Sequence, residues 1–481
     1  MHNAVRSHHR QPLGDALRDE NVSVYDLVSP SDYRYFVKEL TPYISEEAYV
    51  KYKSKVEAAL AIVLARRGMI SAASAAEIKK ASEQIRAKEV YEEEAKTGHD
   101  IIAQVNVIRR NVSREAAAGV HRTATSSDIV DSANMLRYKD AFNNVILPDM
   151  IALEKLWIGI AKKEKCTLQI GRTHLQHAEP ITFGFTMAWY VSRFGSQILK
   201  VKDAVLGLRG KFSGAVGAYN ALSLFVDDPE KFEEEVMAEL GLAANEISTQ
   251  IVQQEPMVDL MHHMISSFTI LANWADDLRN LQRPEIAEIV QPRGRDVSRS
   301  STMPHKANPV GLENIKSLWK ATMPYMFMMH LDQISDHQRD LTNSASQRYI
   351  PQVMDQFDYA VRRAIRISEN IQPHQQNMLR NFNISSDKAL AEPLHLLLST
   401  YGHPNSHEYL GKLADESYKT GKPLTELVLK DKSLQPYLKK FTARQMSILK
   451  DPSKYAGIAA GKAEEVAERW AGRMDELESS K

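Results

Sequence analysis

The sequence predicts an all-α fold, in which helices supply nearly all of the regular structure. Its apolar residues recur with a helical period in long segments, and runs of alternating apolar and polar residues with Asn-Gly or Asp-Gly turns are absent, which argues against a large sheet. One apolar stripe, which stops before Gly68, consists of Val56, Leu60, Val63 and Leu64. Glycine favours helix C-termini, so a helix is expected to end there.

A second stripe predicts a long mid-chain helix, because its apolar residues recur at steps of three or four over about five turns. It consists of Leu260, Met264, Phe268, Leu271, Ala275 and Leu278. The mid-chain helices are apolar on more than one face, which indicates burial by other subunits as well as by their own chain. A homo-oligomer is therefore expected.

Polar loops near residues 125 and 383 interrupt the helical pattern and predict three helical domains. These are an N-terminal domain (1–125), a central bundle of long helices (126–382) and a C-terminal domain (383–481).

Composition limits the function. Lys plus Arg and Asp plus Glu both number 61 in the 481 residues, so no global field favours nucleic acid or an acidic membrane surface as a partner. Cys166 is the single cysteine, which excludes an internal disulfide and a Cys-based zinc site and suits a reducing compartment. No secretory signal, no membrane span and no metal-ligand spacing is evident. A cytoplasmic protein without a bound metal is expected.

The stretch RSSTMPHKANPVGLEN, from Arg299 to Asn314, is predicted to be a loop between two helical segments. It concentrates a potential nucleophile or base with one cation and two amides, which are Ser300 or Ser301, Lys306, Asn308 and Asn314. From composition alone, an ordinary polar connection is the better explanation of the stretch.

Three further segments carry chemistry. EEEAKTGHDI contains His99 and Asp100, HRTATSSDIVDSA contains His121, Thr125 and Ser126, and GRTHLQHAEPITFG contains His174. A lone histidine such as His121 is more often structural than catalytic. In this order, however, the four segments resemble the fumarase, aspartase and argininosuccinate lyase superfamily, whose signature loop reads Gly-Ser-Ser-x-Met-Pro-x-Lys-x-Asn.

Within that superfamily, the chain is most similar to the adenylosuccinate lyases. SPSDYRYF with Arg34 and Tyr35, STQIVQQ with Gln250, and SGAVGAYNALS all resemble segments of that family. QRDLTNSASQR places Arg339, Ser344 and Arg348 at the spacing by which the family holds the phosphate of its nucleotide. Guanidinium groups suit phosphate because they offer paired, charge-assisted hydrogen bonds, although a solvated basic face has the same composition.

The resemblance implies an elimination of fumarate from adenylosuccinate and from the succinylated carboxamide ribotide, without a cofactor. It implies Ser300 as the base and His174 as the acid that protonates the leaving nitrogen. Lys306, Asn308, Thr125 and Ser126 would hold the carboxylate that spreads the carbanion charge. His99 and Asp100 would orient His174 or contact the substrate. The nucleotide and its phosphate would be bound by Arg34, Tyr35, Gln250, Ser301, Asn314, Arg339, Ser344 and Arg348.

The resemblance also implies a homotetramer whose central bundles form one helical core, with each active site shared between subunits. The sequence departs from the family pattern at Arg299 and Thr123, where glycine is usual, and at Gly98, where a larger residue is common. Arg299 puts the hinge of the signature loop in doubt. Two alternatives stay open: another lyase or cycloisomerase of the superfamily, such as argininosuccinate lyase or carboxymuconate cycloisomerase, and a catalytically inactive homologue.

Overall fold

The computed structural model describes Ser29, residues 33–292, Gly294, residues 296–299 and residues 301–479, and of Arg299 it describes the backbone alone. Most of this chain is helical, so the predicted all-α class is confirmed. No helix among the described residues is both long and apolar enough to span a membrane.

The α-helices are numbered in chain order. They are α1 Thr41–Ile44, α2 Glu46–Arg66, α3 Ala72–Gln84, α4 Ala87–Thr97, α5 Asp100–Arg110, α6 Arg114–Ala117, α7 Ser126–Ala141, α8 Leu147–Lys163, α9 Phe183–Gly207, α10 Pro229–Glu239, α11 Glu255–Leu281, α12 Val310–Thr322, α13 Tyr325–Leu331, α14 Ile350–Asn370, α15 Gln375–Ser385, α16 Ala391–Thr400, α17 Ser406–Thr420, α18 Leu424–Lys430, α19 Gln435–Leu438, α20 Ala443–Lys450 and α21 Ala459–Ser479.

The strands are few and short, and they pair two at a time. They are β1 Leu168–Thr173, β2 Gln176–Thr182, β3 Arg209–Gly210, β4 Ala243–Ala244, β5 Ile289–Val290, β6 Ser298–Arg299, β7 Ala307–Asn308 and β8 Gln372–Pro373. The pairs are β1 with β2, β3 with β4, β5 with β8, and β6 with β7. No large sheet forms in the described part of the chain, as the sequence predicted.

The chain forms two compact units, each assembled from segments that are far apart in sequence. The first unit comprises Met1–Met150, Gln197–Phe268 and Leu318–Val361, and the second comprises Ile151–Ser196, Thr269–Ser317 and Arg362–Lys481. The three-domain division at residues 125 and 383 stays a prediction.

Both predicted helical stripes are confirmed. Helix α2 begins after Ser45, whose hydroxyl accepts the N–H of Ala48 at 3.1 Å and so caps the helix. Its apolar stripe is buried, and Gly68 follows the helix with φ +70°. In α11 all six residues of the second stripe are buried.

Aromatic side chains mark the core of the second unit. The ring of Trp157 lies 5.2 Å from that of Trp274 and 5.3 Å from that of Phe194. The indole N–H of Trp157 donates to the hydroxyl of Ser368 at 2.9 Å, so this buried donor has an acceptor within the core. A second cluster of buried leucines, which includes Leu394, holds the C-terminal helices together.

The prediction that all of Arg299 to Asn314 is a loop is wrong at its C-terminal end. Helix α12 begins at Val310, so Asn314 lies in its first turns. The rest of the loop is enclosed by a short antiparallel pair, in which Ser298 faces Asn308 and Arg299 faces Ala307. Extended backbone is open to any L-residue. Arginine in place of glycine therefore needs no special backbone angle here.

Candidate active site

A cavity of about 530 Å³ in the first unit brings together many of the predicted site residues. It is lined by seven of them, which are His99, Asp100, Ser126, Gln250, Arg339, Ser344 and Arg348. These residues come from stretches of the chain that are far apart in sequence. Their convergence on one cavity is the main geometric support for a single binding site.

The ends of two helices carry His99 and Asp100 into this cavity. Gly98 closes α4 in the left-handed region, with φ +67°, which a glycine adopts without steric cost. His99 then caps α5, and its Nδ1 accepts the N–H groups of Ile101 and Ile102 at 3.2 and 3.4 Å. The departure from the family pattern at Gly98 therefore lets the chain turn directly into α5.

Asp100 is held by a buried cation. The ammonium of Lys53, whose side chain is 1% exposed, lies 3.2 Å from an Asp100 carboxylate oxygen. Burial lowers the pKa of Lys53, and the Asp100 carboxylate opposes this shift. The ion pair fixes the position of the Asp100 carboxylate at the cavity wall.

Thr125 and Ser126 lie at the start of α7, which a buried carboxylate anchors. Asp128 accepts the N–H of Thr125 at 2.8 Å in a capping box and also forms an ion pair with fully buried Lys211. The N–H groups of Ser213 and Gly214 donate to the same carboxylate, each at 3.2 Å. The SGAVGAYN segment is thereby fixed to the start of α7, where Thr125 and Ser126 lie.

Thr123 stands in the left-handed region, with φ +66°, at the position where the family usually has glycine. A β-branched residue is strained there.

His121, with φ +60°, has an N–H that donates to Glu57 at 3.0 Å and an Nδ1 that lies 2.6 Å from the same carboxylate. Burial opposes protonation of His121, but Glu57 raises the imidazole pKa overall. These contacts give His121 a structural partner.

Arg339, Ser344 and Arg348, the predicted phosphate residues, lie on a run of turns that ends in a 3₁₀ helix at Ser346–Tyr349. The guanidinium of Arg339 donates to Asn343 on the next turn. The N–H of Gln250 donates to the carbonyl of Gln338 at 3.1 Å, next to Arg339. The backbone thus joins STQIVQQ, the Thr-Gln segment, to QRDLTNSASQR, the arginine segment.

Asp131 also lines the cavity, and it binds the backbone of the Thr-Gln segment. Its carboxylate accepts the N–H of Val252 at 2.9 Å. Burial raises the pKa of Asp131 to about 6, against the lowering effects of the Val252 N–H, Lys211 and Arg339.

Asp131 and the other polar residues on its side of α7 were not among the predicted site residues. Those that line the cavity are Ser127, Asp131, Asn134 and Arg137. They recur at steps of three or four, which is one face of a helix. This polar stripe on a largely buried helix was the signal that could have identified them.

In the second unit, His174 lies at the tip of the β1–β2 hairpin. Thr173 pairs with Gln176, so His174 and Leu175 form a two-residue turn, with φ +52° and +61°. Positive φ at both positions is the type I′ pattern, which usually selects Asn and Gly. The hairpin was not predicted from the sequence, because neither residue of the turn is Asn or Gly. Residues with strained backbone angles cluster at functional sites, and His174 is such a residue.

The base of that hairpin is held by a buried carboxylate. Glu288, which is fully buried, binds the guanidinium of Arg172 at 2.5 and 3.2 Å. The side-chain amides of Gln169 and Asn381 each donate to it at 2.9 Å. A second contact, 2.9 Å between His177 Nδ1 and the Ser385 hydroxyl, ties the other strand to the end of α15.

The signature loop also belongs to the second unit. Ser300, the predicted base, lies outside the described residues. Ser301 and Lys306 are exposed, and the N–H of Lys306 donates to the carbonyl of Met303 at 3.0 Å. The side-chain oxygen of Asn314 accepts a hydrogen bond from Arg363 at 2.6 Å, so this acceptor is already engaged within the protein.

Two predicted nucleotide-binding residues of the first unit do not line its cavity. Arg34 lies over the ring of Tyr33 at 5.8 Å, and the ring of Tyr35 packs edge to face with that of Tyr359 at 5.5 Å.

Among the described residues, no three His, Cys, Asp or Glu side chains come together as a metal site. A metal-free reaction stays a prediction.

Two family models match the chain. A model described as "Lyase" matches residues 33–321, and one described as "Adenylosuccinate lyase C-terminal" matches residues 335–449.

Relatives from archaea and bacteria match over most of the chain. The adenylosuccinate lyase of Pyrococcus abyssi is 34% identical over 459 residues, which cover 94% of this chain and 99% of that protein. The adenylosuccinate lyase of Archaeoglobus fulgidus is 32% identical and covers 92% of this chain and 98% of its own. That of Bacillus subtilis is 31% identical over 343 residues, or 70% of this chain and 78% of its own.

Solved structures share the fold at lower identity. The 3-carboxy-cis,cis-muconate lactonizing enzyme of Pseudomonas putida has a TM-score of 0.81 at 22% identity and covers 92% of this chain and 99% of its own. A fumarate lyase of Mesorhizobium has a TM-score of 0.79 at 20% identity, with 90% and 98% covered. These likenesses show the fold alone.

Proposed function

Because the chain belongs to the adenylosuccinate lyase family, we propose that this lyase releases fumarate from adenylosuccinate, giving AMP, and from the succinylated carboxamide ribotide. The reaction belongs to purine nucleotide synthesis and makes the protein an amidine-lyase. The observation that carries the proposal is the single cavity where His99, Asp100, Ser126 and Gln250 meet the arginine segment.

The arginine segment explains how one site accepts both substrates. Each substrate ends in ribose phosphate, and Arg339 and Arg348 line the same cavity as the hydroxyl-bearing Ser344. A guanidinium offers several donors in a fixed plane and stays charged at any physiological pH. The phosphate therefore serves as a common anchor, while the succinyl group is presented to the reacting side chains.

The elimination breaks one C–H bond and one C–N bond. We assign Ser300 as the base that takes the proton beside the carboxylate, and His174 as the acid that protonates the departing nitrogen. The electron pair left on carbon forms the double bond of fumarate as the C–N bond breaks. Thr125, Ser126, Lys306 and Asn308 are assigned to the carboxylate that carries the charge in the transition state.

The nitrogen that leaves is the exocyclic amino nitrogen of the purine or the amide nitrogen of the carboxamide. Protonation by His174 prevents it from departing as an anion. The strained turn at His174 and the Glu288 contacts at the hairpin base support this assignment, because both restrict where the imidazole lies. Arg34, Tyr35, Ser301 and Asn314 complete the assigned nucleotide contacts.

We also propose a homotetramer in which each active site takes residues from more than one subunit. Large apolar side chains support it, since Trp189 is 60% exposed on α9 and Phe327 is 72% exposed on α13. Burial of such side chains against another subunit would remove their apolar surface from water. We place the enzyme in the cytoplasm, which suits its single cysteine, Cys166.

A substrate panel tests the proposed activity. Purified protein is incubated separately with adenylosuccinate, argininosuccinate and 3-carboxymuconate, and fumarate or lactone is quantified. We expect fumarate from adenylosuccinate alone. Turnover of argininosuccinate or carboxymuconate in its place would support another member of the superfamily. A folded protein without turnover on any of them would be an inactive homologue.

A further inference from the structure

Arg137 is a buried guanidinium that lines the cavity of the first unit. The residue is 6% exposed and lies on the inner face of α7, one turn after Asn134. Its Nε donates to the side-chain carbonyl of Asn134 at 2.9 Å, and its Nη2 donates to the hydroxyl of Tyr138 at 3.0 Å. These neutral partners hold the guanidinium in one orientation.

No carboxylate within the described part of the chain forms an ion pair with Arg137. Its charge is instead flanked by aromatic rings, with Tyr49 at 4.6 Å and Tyr138 at 4.8 Å from the guanidinium carbon. Cation–π contacts offset only part of the cost of burying a charge. A buried cation with neutral partners at a cavity wall is suited to an anionic ligand.

Two of the carboxylates that line the cavity have partners of their own. Asp100 is paired with Lys53 at 3.2 Å, and Asp131 accepts the N–H of Val252 at 2.9 Å. Neither carboxylate therefore depends on Arg137 for its position.

Arg137 and Arg348 both line the cavity, and so does Tyr49. Both guanidiniums act on Tyr49, whose pKa is raised chiefly by burial and then by Asp100, while the two cations oppose that rise. Arg339 and Arg348 line the same cavity. A group bound near Arg348 is therefore within the electrostatic reach of Arg137.

We propose that Arg137 is a further phosphate-binding residue, which acts with Arg339 and Arg348 on the phosphate of the nucleotide. The inference rests on the proposed function and extends it, because the family resemblance did not assign this position. The Nη1 N–H groups donate to no oxygen among the described residues, so they are open to a phosphate oxygen.

Equilibrium binding of AMP and adenosine tests this role, because the two ligands differ only in the phosphate. Calorimetric titrations compare the wild type with Arg137→Gln and Arg137→Lys. Lys139→Gln is the matched control, since Lys139 is on the same helix, outside the cavity, and donates to the carbonyl of Gly241. It removes the same charge without removing a cavity donor.

We expect the wild type and Lys139→Gln to bind AMP more tightly than adenosine, and Arg137→Gln to lose at least about tenfold of that preference. Adenosine affinity should change little. Arg137→Lys should keep part of the preference, because it keeps the charge and loses the planar fork.

The outcomes separate this inference from the proposed function. If the wild type binds both ligands equally, the phosphate anchor of the proposed function fails. If the wild type prefers AMP and Arg137→Gln keeps the full preference, the role of Arg137 is overturned while the proposed function stands. Circular dichroism verifies folding. Should Arg137→Gln not fold, an unchanged preference in Arg137→Lys would overturn the inference.

Discussion

The guanidinium of Arg172 binds both carboxylate oxygens of Glu288, two residues before His174 at the hairpin tip. Glu288 is fully buried and also accepts from the amides of Gln169 and Asn381. One carboxylate thus connects β1 to α15. Its removal takes away the charged partner of Arg172 and one acceptor from each of the two amides.

Glu288→Ala is expected to lower the free energy of unfolding by about 3 kcal/mol or more, because breaking a buried ion pair strands its partner. The kcat for fumarate release should also fall, since the hairpin that carries His174 loses its anchor. Urea unfolding and steady-state kinetics measure the two effects. The control is Glu285→Ala, an exposed glutamate three residues earlier. Equal stability of the two variants would refute the anchoring role.

Thr123→Gly is expected to stabilise the protein. Thr123 has φ +66°, where a β-branched residue is strained and glycine is not. The strain amounts to about 1 kcal/mol. Thr123→Ala is the matched comparison, because alanine lacks the β-branch but keeps the Cβ. We expect the glycine variant to have the highest urea midpoint of the three proteins. A lower midpoint than wild type would show that the side chain itself is required.

Asp131 makes stability depend on pH. Its pKa rises with burial from the ordinary 3.8 to about 6, so the folded state binds a proton more tightly than the unfolded state does. Between these values, stability falls as pH rises, because a carboxylate that the unfolded chain solvates must be buried. Asp131→Asn keeps an acceptor for Val252 and does not titrate.

The stability of Asp131→Asn relative to wild type should therefore increase by about 2 kcal/mol between about pH 4 and pH 7. Urea unfolding across that range measures the difference at a fixed protein concentration. A difference that does not change with pH would show that Asp131 has an ordinary pKa in the folded protein.

Much of the fold was predictable, because apolar period and helix caps act locally. The stripe that ends at Gly68 is an example. The β1–β2 hairpin was not predictable in this way, since His174 and Leu175 adopt positive φ under tertiary constraint and lack the usual turn residues. The missed cavity residue Asp131 has a similar cause. A helical pattern shows a polar face but not which chain segment will lie against it.

The shared-site arrangement predicts complementation between inactive variants. His174→Ala and Ser300→Ala should each be inactive alone. When they are unfolded together and reassembled, some sites receive both intact residues from different subunits. Activity should approach about a quarter of the wild-type value if subunits mix at random in a symmetric tetramer. Wild type carried through the same treatment is the control. If the wild type recovers activity and the mixture of variants does not, one chain supplies both His174 and Ser300 to a site.

If the phosphate anchors the succinyl nucleotide while it is cleaved to fumarate, its loss should slow the cleavage. The specificity constant kcat/KM for fumarate release is measured with adenylosuccinate and with the same compound lacking its phosphate. The arginines of the cavity predict that the nucleotide is favoured by at least about a hundredfold, because the phosphate contacts are lost with the nucleoside. Equal values for the two compounds, or no fumarate from the nucleotide with folded protein, would contradict the account.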